Sequence, residues 1–64
     1  MENISDKLLI GFFQDYCAER EYTLDQIGQS VGRTKSWASR FVNGHITKLQ
    51  YVTRIRIKKV LGIQ

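Results

Sequence analysis

Apolar residues in the first third of the chain recur at three- and four-residue intervals: Ile4, Leu8, Leu9, Phe12, Phe13, Tyr16 and Cys17. Residues so spaced share one face of an α-helix. The pattern predicts a helix from about Ser5 to Arg20, with Ser5 as N-cap and Asp6 in the first turn, where an acid complements the exposed amides. Gly11 interrupts this helix at a cost of about 1 kcal/mol relative to alanine. Its presence predicts close packing against a neighbouring helix.

A break follows at Glu21–Tyr22, and Thr23-Leu24-Asp25-Gln26 then has the form of a capping box, with Thr23 as N-cap and Gln26 reaching back from the third helical position. The helix it opens runs to about Ser30 or Val31, because Gly32 suits a left-handed C-cap. Leu24, Ile27 and Val31 supply its buried face, and at Gly28 a side chain would push the next element away. A third helix starts at once, with Thr34 as N-cap, Lys35 to Val42 as its body and Asn43-Gly44 as its end. Trp37, Ala38, Phe41 and Val42 are its apolar positions, the aromatics Trp37 and Phe41 read as core and not as base-stacking platforms. Lys35, Ser36, Ser39 and Arg40 fall largely on the other side.

The last stretch supports two readings. Leu49, Val52, Ile57, Val60, Leu61 and Ile63 share one helical half, which predicts a helix from about Lys48 to Leu61 stopped near Gly62. Residues 53–58, Thr-Arg-Ile-Arg-Ile-Lys, alternate with period two and are rich in β-branched side chains, which makes a strand over residues 51–58 the alternative. Tyr51 and Ile55 lie off the helical stripe but one turn apart. They are either scattered surface residues or an exposed apolar spot for a dimer contact. The fold class expected is all-α: a small four- to five-helix bundle containing a helix-turn-helix, with residues 1–64 as a single domain.

Charge changes this picture more than size does. The 64-residue chain carries a formal net charge of +4, but unevenly. Residues 1–30 hold Glu2, Asp6, Asp15, Glu19, Glu21 and Asp25 against Lys7 and Arg20. Residues 31–64 hold Arg33, Lys35, Arg40, Lys48, Arg54, Arg56, Lys58 and Lys59 with no acid at all. Such an unneutralised half is the footprint of a polyanion site, since cationic side chains release counterions from nucleic acid. The plain alternative is a solvated basic helix face. Charge alone also leaves DNA, RNA and an anionic membrane undivided.

The remaining composition narrows the chemistry. One cysteine, Cys17, allows no disulfide within the chain. In an apolar stretch it reads as a small core hydrophobe of a reducing compartment. One histidine, His45, and one cysteine do not supply a four-ligand metal centre, so no metal or cofactor is expected. There is no signal-peptide pattern and no apolar run of about 18 residues. A soluble protein of the bacterial cytoplasm or nucleoid, with no membrane partner, is the expectation. The sequence shows no nucleophile–base pair, paired carboxylates or phosphate loop, and an enzyme is not expected.

Two short helices joined by a three- to four-residue glycine turn form the unit that sets a second helix in the DNA major groove. Gly28 lets the helices cross closely, Gly32 makes the turn, and Ile27, Ala38 and Phe41 lock the angle. The segment from Thr23 to Gly44 also resembles the lambdoid repressor and Cro-like helix-turn-helix family, in which Asn-Gly closes the recognition helix at this spacing. Leu49 to Gly62 looks like that family's last helix, so the resemblance spans nearly the whole chain. It implies base-edge contacts from Lys35, Ser36 and Arg40, with Thr34 and Ser39 beside them. It also implies DNA-backbone contacts around Thr23 and Asn43; independently of the resemblance, Arg33 and Lys48 are expected at the backbone as neighbouring cations. The chemistry agrees, because Arg and Lys pair with guanine O6 and N7 while serine serves either edge. Three positions depart from the family pattern: Leu24 stands where a phosphate-touching glutamine is frequent, Arg33 where the turn residue is usually small or apolar, and Val42 where an acid is common.

The function expected is that of a sequence-specific DNA-binding regulator of phage, plasmid or other mobile-element origin. It would bind double-stranded DNA as a homodimer, through Tyr51 and Ile55, on half-sites about 34 Å apart, and repress by covering a promoter. The alternative is a protein-binding module on the same fold, such as an antirepressor or antitoxin.

Overall fold

The structure is a computed structural model that describes residues 4–63; Glu2, counted in the acidic half, lies outside them. Among the described residues there are four helices and no strand: α1 (Asp6–Glu19), α2 (Leu24–Ser30), α3 (Lys35–Val42) and α4 (Tyr51–Leu61). The molecule is therefore the expected small all-α bundle. Each of the first three helices starts where its polar cap stands. Ser5 Oγ accepts the Leu8 amide at 3.2 Å, Thr23 Oγ1 that of Gln26 at 3.2 Å, and Thr34 Oγ1 that of Trp37 at 3.1 Å. The capping box of α2 is complete, the Thr23 amide donating to Gln26 Oε1 at 2.8 Å.

The helix ends are equally uniform. In α2 the Arg33 amide donates to the Gly28 carbonyl at 2.7 Å and the Gly32 amide to that of Gln29 at 3.2 Å. This pair satisfies the last carbonyls through a left-handed residue, Gly32 at φ 70°. The same two-bond closure ends α3 at Gly44 and α4 at Gly62. It also ends α1, but there the left-handed position is Glu21, with φ 55°.

Leu9, Phe13 and Cys17 of α1 meet Ile27 and Val31 around α2, Trp37, Ala38 and Phe41 of α3, and Ile57 of α4 in one core. Its centre is aromatic. Phe41 lies between Trp37, stacked at 5.1 Å, and Phe13, tilted at 5.5 Å. The expectation that Trp37 and Phe41 are core and not stacking platforms therefore holds. Cys17 is buried as expected, and burial pushes its thiol up to about 11, which keeps it protonated and inert.

α2 packs most extensively on α3, and α1 on α4. The α1–α4 contact includes an ion pair the periodicity did not announce. Arg54 pairs with the Asp6 carboxylate and donates to the Ile4 carbonyl at 2.6 Å, while the other Asp6 oxygen accepts the Leu49 amide at 3.0 Å. That amide and the Arg54 guanidinium hold the Asp6 carboxyl below its usual range.

Several expectations need correction. α4 begins at Tyr51, not near Lys48, because Gln50 is extended and the Leu49 amide is drawn to Asp6. The strand alternative for residues 51–58 fails: Thr53 and Ile57, four apart, are the two residues of α4 buried on the core. Val52 is on the wrong side of that helix and is 55% exposed. Leu8 and Phe12 of the α1 apolar stripe and Val42 of α3 are also exposed, since a core this small covers only the Leu9–Phe13–Cys17 line of α1 and the Trp37–Phe41 side of α3. Around Gly11 a Cβ would meet nothing within 4 Å, so close helix packing does not explain that glycine.

Candidate nucleic-acid interface

The geometry of the α2–turn–α3 unit depends on Gly28. A Cβ there would stand 2.7 Å from the Thr34 carbonyl oxygen and 2.9 Å from that of Arg33. Hydrogen at this position lets the backbone that opens α3 lie directly on α2. Gly32 turns the chain, and the Arg56 guanidinium from α4 closes over it, Nη1 donating to the Val31 carbonyl at 3.3 Å. The crossing of α2 and α3 is thus set by backbone contact and clamped from behind by α4.

With Trp37, Ala38 and Phe41 turned inward, the opposite side of α3 is polar by necessity. Ser36, Ser39, Arg40 and Asn43 recur at i, i+3, i+4 and i+7, which is one stripe along a helix. Lys35 flanks it. Thr34, Lys35, Ser36, Arg40 and Asn43 are exposed, and Ser39 is half-buried. Ser36, Ser39, Arg40 and Asn43 thus lie along one side of α3, with Lys35 at its edge and Thr34 at its start. Two of these residues have local duties as well. Thr34 spends an oxygen lone pair on its cap, and Asn43 Nδ2 donates back to the Ser39 carbonyl at 2.8 Å, leaving its Oδ1 to the outside.

The residues assigned to the DNA backbone are not all alike. Thr23 is exposed at the start of α2, but its capping box already uses its own amide and that of Gln26. Lys48 is exposed on the segment before α4. Arg33 is half-buried and held within the molecule: its Nη1 donates to Gln50 Oε1 at 3.1 Å and its guanidinium stands 5.5 Å from the Trp37 ring centroid.

Three of these cations converge. Arg33, Arg40 and Lys48 line one open cleft of about 200 Å³ between α3 and the segment entering α4, together with Gln50, Trp37 and Thr53. Gln50 and Thr53 carry no local signal for this cleft: a helix starting near Lys48 makes Gln50 an interior residue, whereas it is the α4 N-cap. Elsewhere the basic half is partly consumed by structure, Arg54 by Asp6 and Arg56 by the α2 terminus. Arg33, Lys35, Arg40 and Lys48 remain beside α3, and Lys58 and Lys59 at the far end of α4.

Among the described residues no group of three or more His, Cys, Asp or Glu side chains is placed to hold a metal ion, and no helix is long and apolar enough to cross a membrane. The chain matches no protein-family model, no curated protein and no solved structure at a significant level.

Proposed function

We propose that this protein is a sequence-specific DNA-binding transcriptional regulator that occupies a two-fold operator as a dimer and represses by covering the promoter. The observation that carries this reading is the outer stripe of α3. A short helix, raised by the Gly28 contact and the Gly32 turn, presents hydroxyl, amide and cationic groups outward. No carboxylate follows residue 30 to oppose a phosphate backbone. The major groove, about 12 Å wide, admits one such helix. In this reading Ser36 and Ser39 approach base edges, Lys35 and Arg40 work from the two flanks, and Thr34 fixes the helix start. Thr23, Arg33, Asn43 and Lys48 meet the sugar-phosphate backbone. One short helix makes few base contacts, so useful specificity requires two half-sites.

Selection of bound fragments from random duplex DNA tests this directly. The expected result is an enriched inverted repeat whose affinity falls by roughly two orders of magnitude or more between 50 and 200 mM salt. Enrichment of no sequence, or binding indifferent to salt, overturns it.

A second reading, a protein-binding module of the antirepressor or antitoxin kind, is favoured by one observation. Leu8, Phe12, Val42, Tyr51, Val52 and Ile55 are all exposed, and those of α4 follow one another on a single helix, as a docking surface requires. Partner binding through those residues would persist in salt that abolishes binding to duplex.

A further inference from the structure

The cleft between α3 and the start of α4 has features that the DNA reading did not require. Its walls carry Arg33 from the α2–α3 turn, Arg40 from α3 and Lys48 from the segment before α4. Among the described residues none of the three is in an ion pair. The cleft also lies at a helix end that lacks its usual closure. Gln50 occupies the N-cap of α4, an 11-residue helix, yet makes no side-chain capping bond. Its Oε1 is turned instead to Arg33. The first amides of α4 are left without a cap, at the end where aligned peptide dipoles place partial positive charge.

Thr53 is the independent sign. It is 3% exposed, the one buried polar side chain among the described residues, and it lines this cleft. None of the side-chain hydrogen bonds among the described residues engages its hydroxyl, and the neighbouring Gln50 Oε1 accepts from Arg33 instead. Buried hydroxyls are almost always paired, and an unpaired one in the wall of a cleft points to a missing acceptor or water. Three cations, an uncapped helix start and an unpartnered hydroxyl all call for the same species, an oxyanion.

We propose that this cleft is a phosphate-binding site and that Arg40 serves it instead of reading a base edge. The source of the phosphate, a backbone phosphodiester of duplex DNA, rests on the functional reading above. Arg33 is already oriented for it. With only Nη1 committed to Gln50, the rest of its five-donor fork remains for the ligand. Lys48 adds a point charge, and Thr53 and the α4 amides add neutral donors. Bound there, a phosphate group fixes α3 in register along the groove while Lys35, Ser36 and Ser39 face the bases.

Trp37 makes the site observable without DNA. It is the chain's single tryptophan, it lines the cleft, and the Arg33 guanidinium stands 5.5 Å from its ring centroid. Inorganic phosphate titrated into the full chain at constant low ionic strength, against chloride as control, should change Trp37 fluorescence saturably. It should also shift the Arg33 and Thr53 NMR signals. Arg40→Gln should weaken that binding at least fivefold with the fold intact by circular dichroism, and Thr53→Val should weaken it without changing net charge. Absence of a saturable response, or a response unaltered by Arg40→Gln, overturns the site.

The selected operator supplies the second arm. If Arg40 clamps a phosphate, Arg40→Gln lowers affinity by one common factor for all duplexes. It also reduces the log-affinity versus log-salt slope by about 0.9. Loss of preference at one base pair with the slope unchanged returns Arg40 to the base readers and overturns the assignment. Saturable phosphate binding in a protein that enriches no duplex would sink the DNA reading while leaving the cleft as a site for a free phosphate ligand.

Discussion

Gly28 and Thr34 touch backbone to backbone: a Cβ on Gly28 would lie 2.7 Å from the Thr34 carbonyl oxygen. That oxygen accepts the Ala38 amide at 3.1 Å and belongs to the residue that caps α3. It is held from both sides and has nowhere to go. Gly28→Ala should therefore destabilise the fold by about 1–3 kcal/mol, although alanine alone favours a helix by about 1 kcal/mol. Gly11→Ala is the internal control. With open space around it, that substitution should stabilise α1 by about 0.5–1 kcal/mol. Urea denaturation of the pair measures both, and equal effects would refute the contact argument.

These two glycines also show what periodicity conveys and what it does not. Gly28, Gly32 and the Asn43-Gly44 end were legible because turn and cap chemistry is local: each requirement falls within a few residues of the one that meets it. The caps Ser5, Thr23 and Thr34 were legible for the same reason. Gly11, Leu8, Phe12 and Val52 were misjudged because each depends on which side of its helix a distant element covers. A 3.6-residue period marks a wide apolar stripe, whereas a four-helix core of this size accepts only its middle. The start of α4 was missed because a long-range bond, the Leu49 amide to Asp6, decides it. The polar stripe of α3 was readable, but the convergence of Arg33, Arg40 and Lys48 was not, since it joins three separate segments.

The Asp6–Arg54 pair gives stability a pH dependence whose sign is fixed. The Asp6 carboxyl is held low first by the Leu49 amide and then by Arg54. A depressed folded-state value means the unfolded chain binds the proton more tightly. The contribution is then complete above the unfolded value of about 3.9 and disappears as pH falls through the folded one. Melting temperature should drop on acidification from pH 5 to pH 2.5, and Asp6→Asn should flatten that part of the curve. Arg54→Ala removes the partner and the Ile4 carbonyl bond together, so a loss of about 1–3 kcal/mol at neutral pH is expected. An Asp6→Asn protein with the same acid limb as the parent would show that other carboxylates carry the effect.

Glu21 is the one helix end where the chain lacks glycine at the left-handed position, with φ 55°. An L-residue there costs about 1–2 kcal/mol, of which glycine's greater unfolded entropy returns up to about 1. Glu21→Gly should therefore stabilise the protein by about 0.5–1 kcal/mol, against the usual direction for glycine substitutions. The same change at Glu19, inside α1, should destabilise. Thermal melts of both variants decide it. A Glu21→Gly protein less stable than the parent would mean that the Glu21 side chain contributes something the backbone geometry does not reveal.

Lys35 and Thr34 sit side by side at the start of α3 but should fail differently. Thr34→Ala loses the cap on the Trp37 amide and should cost about 1 kcal/mol of stability. Lys35 is exposed and outside every described hydrogen bond, so Lys35→Ala should leave the melt unchanged. On the selected operator Lys35→Ala should cost about 1–3 kcal/mol and relax preference at one base pair. Competition binding with operator variants separates the cases. A uniform loss over all variants would make Lys35 a phosphate contact.

Tyr51, Val52 and Ile55 are 76%, 55% and 45% exposed on the outer side of α4, opposite the buried Thr53 and Ile57. Tyr51 and Ile55 follow one another at i and i+4, so they form a ridge of the kind helices pack through. If that ridge joins two copies on a two-fold operator, Ile55→Asp should leave monomer stability within about 0.5 kcal/mol, as befits a surface position. Sedimentation should then move from dimer toward monomer, and Tyr51→Ser should act in the same direction. On DNA, affinity for an isolated half-site should persist, while the gain from having two half-sites in phase disappears. A dimer that survives both substitutions would place the contact elsewhere, with the exposed Leu8 and Phe12 of α1 as the next surface to alter.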